Sequence, residues 1–311
     1  MLPIPLVIVH FGYKPYLEDI IRFNSKKNKI ILIGDNDNAH LGSVKNVQHI
    51  LYFELVTENL IFFKNNFYDI NKNIFSTTKI RVDNNLRCDT TFGVSCEYDF
   101  LWHARVFLIH EYMIKYNIPL IFHTDSDCAI FEPIDTLYSI LPQGTQTAYS
   151  IEHIHNNIHM VGSIHASFLT LQFCEEYKKL LFAIYIERTK IHLLETKINA
   201  QQNGAPGFIC DMSLYYCLWK EGSLPIFDLN TYIYINNEIC TFDHALADPL
   251  GLSGKESFKM EHKENVLIKK LQFKNNAYYA ETENGNFIRL LSIHFNCNTK
   301  PFIKEFLENI T

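Results

Sequence analysis

A pair of carboxylates directly after a short apolar run constrains this chain more than any other feature. The run Ile118–Phe122 has the character of a buried strand, and Asp125 and Asp127 follow it at once. In open α/β sheets the carboxyl ends of strands face the ligand crevice. Two carboxylates this close repel each other unless a cation lies between them, and a hard divalent ion suits oxygen ligands. The spacing therefore indicates a divalent-cation site, with two solvated turn carboxylates as the alternative.

The start of the chain predicts the fold class. Pro5–Phe11 is a short apolar strand, Tyr16–Lys27 has apolar residues at helical spacing, and Lys29–Ile33 is a second strand. A strand, helix and strand within about 35 residues are typical of a parallel, doubly wound sheet. We therefore expect an α/β fold with a central, mostly parallel sheet flanked by helices.

Later segments extend this pattern. Asn284-Gly285 lies between two alternating segments and predicts a small antiparallel hairpin over Asn276–Phe295. Residues 70–98 are polar and irregular, which predicts a long surface excursion. The other expected elements are strands at His49–Phe53, Pro119–His123, Thr145–Ile151 and His159–Leu171, and helices at Thr57–Phe67, Asp99–Tyr116, Phe173–Arg188, Asp211–Lys220 and from about Pro301.

Composition excludes some function classes. The net charge of −6 argues against nucleic-acid binding, which depends on a basic surface. The eight cysteines contain no C-x-x-C pair, which favours reduced thiols and a cytoplasmic protein. Neither a signal peptide nor an apolar run long enough to span a bilayer is evident. The lysines from Lys255 to Lys274 leave peripheral contact with the inner membrane face open.

A second motif stands near the C-terminus, where His294 follows an expected strand and Lys300-Pro301 begins an expected helix. A histidine is a suitable third metal ligand, and a lysine at a helix start can hold a phosphate. Each residue taken alone has an ordinary alternative, a packed histidine and a surface lysine.

Together these landmarks resemble the metal-dependent glycosyltransferases of the GT-A fold. Their D-x-D motif is similar to Asp125-Ser126-Asp127. The retaining galactosyltransferase and glycogenin group carries H-x-x-G-x-x-K-P, to which the segment from His294 to Lys300-Pro301 is similar, with Cys297 in place of the glycine. The resemblance touches landmarks from residue 4 to about 305 and implies one GT-A domain over residues 1–311. Its nucleotide-binding part would be about 1–130 and its acceptor-binding part about 131–311.

The resemblance also implies a site. Asp125, Asp127 and His294 would hold Mn²⁺ or Mg²⁺, and the donor would be a nucleotide sugar, with UDP as the expected nucleotide. A hydroxyl of a glycan or protein would be the acceptor. The residues implied to contact the donor are His10, Phe11, Gly12, Asp35, Arg105, Asp125, Ser126 and Lys300. A surface role for Arg105 and a turn role for Asp35 are the alternatives.

Two further groups carry open alternatives. Asp211 begins an expected helix, where it is either a general base for the acceptor hydroxyl or an N-cap. The histidine-rich stretch from His153 to His165 is either a zinc site or, as we favour, a set of side chains that line an acceptor pocket or are simply exposed.

Three functions compete on this basis. The first is a glycosyltransferase that uses a metal ion. The second is a catalytically inactive module that binds sugar nucleotides or glycans. The third is a phosphatase of the haloacid-dehalogenase type, which also uses D-x-D but has Thr or Val where this chain has Ala129. We expect the first.

Overall fold

The computed structural model describes residues 3–68, 70–71, 96–152, 159–205, 208–249 and 257–310. The predicted excursion over residues 70–98 lies almost entirely outside these residues. The elements up to the D-x-D region are β1 (Leu6–Val9), α1 (Pro15–Asn24), β2 (Ile30–Gly34), β3 (Val47–Leu51), α2 (Glu58–Asn66), α3 (Cys96–Lys115), β4 (Leu120–Thr124) and β5 (Cys128–Ile130).

The rest of the chain adds the second half of the fold. Its helices are α4 (Ile134–Ser139), α5 (Leu171–Tyr185), α6 (Glu195–Gln202), α7 (Asp211–Glu221) and α8 (Ile303–Glu308). Its strands are β6 (Thr147–Ile151), β7 (Gly162–Thr170), β8 (Ile226–Asp228), β9 (Ile233–Ile235), β10 (Glu238–Phe242), β11 (Met260–Lys263), β12 (Val266–Lys269), β13 (Leu271–Lys274), β14 (Ala277–Glu281) and β15 (Phe287–His294).

The main sheet has seven strands in the order β3-β2-β1-β4-β7-β6-β8. The first four strands of that order are parallel, whereas β7 runs antiparallel to both β4 and β6. The strand–helix–strand opening produces this parallel half, because a crossover helix returns the chain to the same end of the sheet. The prediction of a mostly parallel α/β sheet is confirmed.

Two apolar layers cover the main sheet. Residues such as Phe107 and Leu181 pack on one face together with Val7 of β1, and residues such as Leu17 and Phe122 pack on the other. The apolar spacing of α1 explains its position, since Leu17, Ile20 and Ile21 are fully buried. A third apolar cluster joins α1 and α8 to the strands β14 and β15.

The predicted hairpin exists, and it belongs to a larger structure than expected. β14 and β15 pair antiparallel, and Gly285 in their turn has φ of 80°. They are part of a six-stranded sheet that also contains β13, β10, β9 and β5. Because β5 follows the D-x-D motif directly, its pairing with β15 fixes this sheet to the motif.

The expected C-terminal α-helix begins two residues later than predicted. A 3-10 helix covers Cys297–Phe302, and α8 begins only at Ile303. Within the described residues, no helix combines the length and the apolar character needed to cross a bilayer.

Candidate active site

The D-x-D residues lie in the turn between β4 and β5. The Cys128 N–H donates to the Asp125 carbonyl at 3.2 Å and closes the turn, while the Asp125 N–H donates to the His165 carbonyl on β7 at 3.0 Å. The β4 strand is buried on both faces, so the chain leaves the core at Thr124 and turns both carboxylates outward from the strand end. The turn therefore holds the two side chains at the carboxyl edge of the sheet, as the sequence predicts.

His294 reaches this edge through strand pairing. It is opposite Cys128 in the β5–β15 register, and the Phe295 N–H donates to the Asp127 carbonyl at 2.9 Å. The ligand atoms of Asp125, Asp127 and His294 all lie within 4.8 Å of one another. His294 Nε2 is 3.3 Å from Asp127 Oδ1 and 3.9 Å from Asp125 Oδ2. These three side chains form a candidate metal site.

The donor set of this site fits a divalent cation. The Nδ1–H of His294 donates to the His244 carbonyl at 2.5 Å, which leaves Nε2 as the nitrogen that faces the carboxylates. A histidine ligand held in this way by a carbonyl is the usual arrangement at metal sites. Two carboxylates and one imidazole nitrogen suit Mn²⁺ and Mg²⁺.

Cations surround the two carboxylates. Lys300 Nζ is 2.9 Å from Asp127 Oδ2, and Arg105 NH1 is 2.8 Å from Asp125 Oδ1. Burial acts to raise the pKa of Asp127, but His294 and Lys300 hold that pKa well below its usual range. Burial likewise acts on Asp125, and Arg105 and His294 lower its pKa overall. Both carboxylates are therefore charged at neutral pH.

The pKa of His294 moves the other way. Burial alone would lower this pKa, but the hydrogen bond and charge of Asp127, together with the charge of Asp125, raise it to about 9. The imidazole is accordingly protonated at neutral pH when no ion is bound. A metal ion must displace that proton to use Nε2 as a ligand.

Arg105 connects the D-x-D motif to Asp211. It extends from α3, and its second guanidinium nitrogen, NH2, donates to Asp211 Oδ2. Asp211 is the first residue of α7, and Cys210 occupies the N-cap position, so the N-cap alternative for Asp211 does not hold. Both side chains are largely buried, with exposed fractions of 15% for Arg105 and 4% for Asp211. Burial at these levels makes a surface role for Arg105 untenable.

A close approach of β7 to α7 helps to place Asp211. A Cβ on Gly162 would lie 2.8 Å from Tyr215 Cβ and 2.9 Å from the Tyr216 nitrogen, so only glycine fits there. Because α7 packs directly on the sheet at this point, its first residue lies at the sheet edge beside Arg105.

The β1 and β2 loops form the other wall of the crevice. His10 Nδ1 is 2.9 Å from Ser126 Oγ, so the first loop contacts the D-x-D turn. The Gly12 N–H donates to Asp35 Oδ2 at 2.6 Å, and Gly12 has φ of 75°. Asp35 also accepts from the Asp37 N–H at 3.1 Å, as its turn alternative predicts. Phe11 contacts the ring of Tyr52 edge-on at 5.2 Å between centroids.

The structure describes only part of the histidine-rich stretch. His153 and His155 lie outside the described residues, while His159 is exposed. His165 is fully buried, and its ring stacks on His294 at 5.0 Å between centroids. The expectation of an exposed side chain is therefore wrong for His165, which lies behind the candidate metal site, a position for which its spacing in sequence gives no signal.

Three residues behind the site were missed by sequence reasoning. His123 is buried on β4 with Nε2 3.8 Å from Asp125 Oδ1, and Asp243 and Lys269 form a buried ion pair next to His294. The fully polar Asp-His pair directly after β10 is the one sequence signal that points to this region, because it interrupts an apolar segment.

No protein-family profile matches the chain, and no curated protein matches it in sequence. Solved glycosyltransferases are similar in structure. Mouse xyloside xylosyltransferase 1, in apo form, is 12% identical with a TM-score of 0.40, covering 73% of this chain and 84% of that one. The galactosyltransferase LgtC, solved with donor and acceptor sugar analogues, is 11% identical with a TM-score of 0.38, covering 73% of each chain.

A third structure covers nearly the whole chain. It is a glycosyltransferase involved in glycosylation of the major capsid of PBCV-1, 9% identical with a TM-score of 0.41, covering 98% of this chain and 100% of that one. Identities this low and TM-scores below 0.5 leave the function to be argued from the site.

Proposed function

We propose that this protein is a metal-dependent glycosyltransferase, which moves a sugar from a nucleoside diphosphate sugar to a hydroxyl of a glycan or protein. The observation that carries the proposal is the convergence of Asp125, Asp127 and His294 within 4.8 Å, with Lys300 and Arg105 directly beside them. Two carboxylates, an imidazole and two cations match the needs of a metal-bound diphosphate. UDP as the nucleotide follows the resemblance of the C-terminal motif.

Each residue has a proposed task. A divalent ion held by Asp125, Asp127 and His294 would supply positive charge that stabilises the departing nucleoside diphosphate. Lys300 binds the diphosphate beside that ion. The loop from His10 to Gly12, with Asp35 and Ser126, holds the nucleoside side of the donor.

Arg105 and Asp211 serve the transferred sugar. Arg105 forms an ion pair with Asp211 in the structure and occupies Asp211 Oδ2, so this oxygen is not available to a substrate hydroxyl. We therefore propose that Arg105 turns toward the donor phosphate when donor binds, which frees Asp211 to accept a proton or a hydrogen bond from a sugar hydroxyl.

The same residues support a single domain over residues 1–311. Asp125 lies in the part expected to bind nucleotide, whereas Asp211 and His294 lie in the part expected to bind acceptor, and all three meet in one crevice. A cytoplasmic location and a peripheral membrane contact stay predictions.

The experiment tests release of nucleoside diphosphate. The protein is incubated with a panel of nucleotide sugars and Mn²⁺, with and without a chelator, and with Asp127→Asn and His294→Gln variants. We expect chelator-sensitive release that both variants lose. Glu195→Gln, at the exposed start of α6, is the matched control and keeps activity. Binding of a nucleotide sugar without release would favour the inactive binding module, and failure with every donor would refute the enzyme.

A further inference from the structure

A short segment, residues 243–246, lies between the metal ligand His294 and the buried Lys269. It follows β10 directly, and β10 pairs parallel with β15, the strand that ends at His294. The segment is therefore carried to the back of the metal site by the register of the second sheet. It takes no part in the tasks proposed above.

On one side this segment holds His294 at three points. Asp243 Oδ2 accepts from the His294 N–H at 3.4 Å, and the His244 carbonyl accepts from His294 Nδ1–H at 2.5 Å. The Leu246 N–H donates to the His294 carbonyl at 3.0 Å. The backbone and the ring of the metal ligand are thus both fixed by one segment.

On the other side Lys269 holds the same segment at three points. Its Nζ donates to Asp243 Oδ1 at 2.7 Å and to the Ala245 carbonyl at 2.5 Å. Its backbone N–H donates to the Leu246 carbonyl at 2.9 Å. The side chains of Lys269 and Asp243 are only 1% and 2% exposed.

A buried ion pair is poorly explained by stability alone. Removing two charges from water costs free energy of the same order as their attraction returns, and apolar replacements are often equally stable. What this pair provides is position. With the 243–246 segment held, the His244 carbonyl orients the His294 ring so that Nε2 faces Asp127.

We propose that Asp243 and Lys269 are positioning residues for the metal ligand His294, acting through the 243–246 segment to fix its Nδ1–H tautomer and ring orientation. This inference rests on the proposed function, because it assumes that His294 binds a metal. His165 supports the same arrangement, since its Nε2–H donates to the Asp243 carbonyl at 3.1 Å while its ring stacks on His294.

The test replaces both charges together. The Asp243→Asn/Lys269→Met double variant keeps shape and leaves no buried charge unpaired, so we expect it to fold with nearly unchanged stability. Its Mn²⁺ affinity, measured by titration calorimetry, should fall about 10- to 100-fold, as for other lost supports of a metal ligand. The matched control, Lys259→Met/Glu281→Gln, exchanges the same kinds of residue in another ion pair and should bind Mn²⁺ like wild type.

A second readout needs no metal. Nitrogen NMR of the neutral His294 ring, recorded above its pKa of about 9 and assigned with His294→Gln, reports the tautomer. We expect Nδ1–H alone in wild type and a mixture in the double variant. If the double variant does not fold, Asp243→Asn/Lys269→Gln replaces it in both measurements, because it again leaves no buried charge unpaired and its glutamine amide still offers a hydrogen-bond donor.

The outcomes separate the two proposals. Wild-type Mn²⁺ affinity together with an unchanged tautomer in the folded variant would overturn the positioning role alone. A wild-type ring protonated at Nε2 would also overturn it. If wild type binds no Mn²⁺, the metal site of the proposed function is refuted, and the tautomer comparison still decides whether the pair positions His294.

Discussion

The protonation of His294 predicts opposite pH dependences for the stability of the metal-free protein and for metal binding. The pKa of this histidine rises from 6.5 to about 9 in the folded chain, since Asp127 and Asp125 outweigh its burial. A raised pKa means that the folded state binds the proton more tightly than the unfolded state does. The resulting stability is fully present below pH 6.5 and is lost as pH rises through about 9.

The size of the effect follows from the shift. At about 1.4 kcal/mol per pKa unit, a rise from 6.5 to about 9 contributes about 3 kcal/mol to the unfolding free energy of the metal-free protein. The side chain is 13% exposed, so solvent screens this contribution only in part. Most of it should disappear between these two pH values.

Metal binding should follow the opposite trend. Because the ion displaces the His294 proton, its apparent affinity should rise about tenfold per pH unit and level off near the pKa. Stabilisation by a fixed Mn²⁺ concentration therefore grows with pH while the metal-free protein weakens.

Urea unfolding of wild type and His294→Gln, with chelator and with Mn²⁺, measures both trends. Burial raises the pKa values of the Cys128 and Cys174 thiols in the folded state, so these groups also make the unfolding free energy depend on pH at high pH. Their contribution is the same in both proteins. The difference between the two proteins isolates His294. If their unfolding free energies run parallel from pH 6.5 to 9 without metal, the ion pairing of His294 with the D-x-D carboxylates is refuted.

Three further predictions concern residues around the site. Lys300→Met should weaken nucleoside diphosphate binding about 10- to 100-fold in calorimetry, because it removes a hydrogen bond to a charged group; unchanged affinity would contradict its phosphate role. Arg105→Met should lower the free energy of unfolding, measured in urea, by about 3–5 kcal/mol, because it leaves Asp211 buried and unpaired. Adding Asp211→Asn should restore part of that free energy rather than lower it further. Gly162→Ala should cost about 1–3 kcal/mol, since its Cβ meets the backbone of α7, and a wild-type melting temperature would rule out that contact.

The sequence was sufficient to predict those residues of the site that lie at the ends of strands. Asp125 and Asp127 come directly after an apolar strand. His294 ends a strand of the hairpin that the Asn284-Gly285 turn predicts. Such residues reach the sheet edge by local rules alone. Their mutual distance depends on the β5–β15 pairing, a contact between distant segments that periodicity does not encode.

The six-stranded sheet shows why the other residues behind the site could not be predicted from the sequence. Strands β9 to β13 are short and mix buried, half-buried and exposed positions, so their apolar alternation is weak, and the sequence suggested only the hairpin. Asp243 and Lys269 are distant from His294 in sequence and resemble ordinary surface charges. The register of β10 beside β15 brings Asp243 behind His294, and Lys269 on β12 reaches the same place through its hydrogen bonds to Asp243 and Ala245.

The charge balance of the site bears on how an acidic protein would attract the diphosphate of the proposed donor. Without metal, the carboxylates of Asp125, Asp127 and Asp211 are matched in number by the cations Arg105, Lys300 and protonated His294. Exchanging the His294 proton for a divalent ion adds one positive charge and relieves Lys300 and Arg105 of part of their pairing. We infer that metal binding comes before donor binding, because only then do the groups beside the D-x-D motif carry an excess of positive charge toward phosphate oxygens. Nucleoside diphosphate affinity should therefore fall together with Mn²⁺ affinity in His294→Gln, and full diphosphate binding by that variant would refute the order.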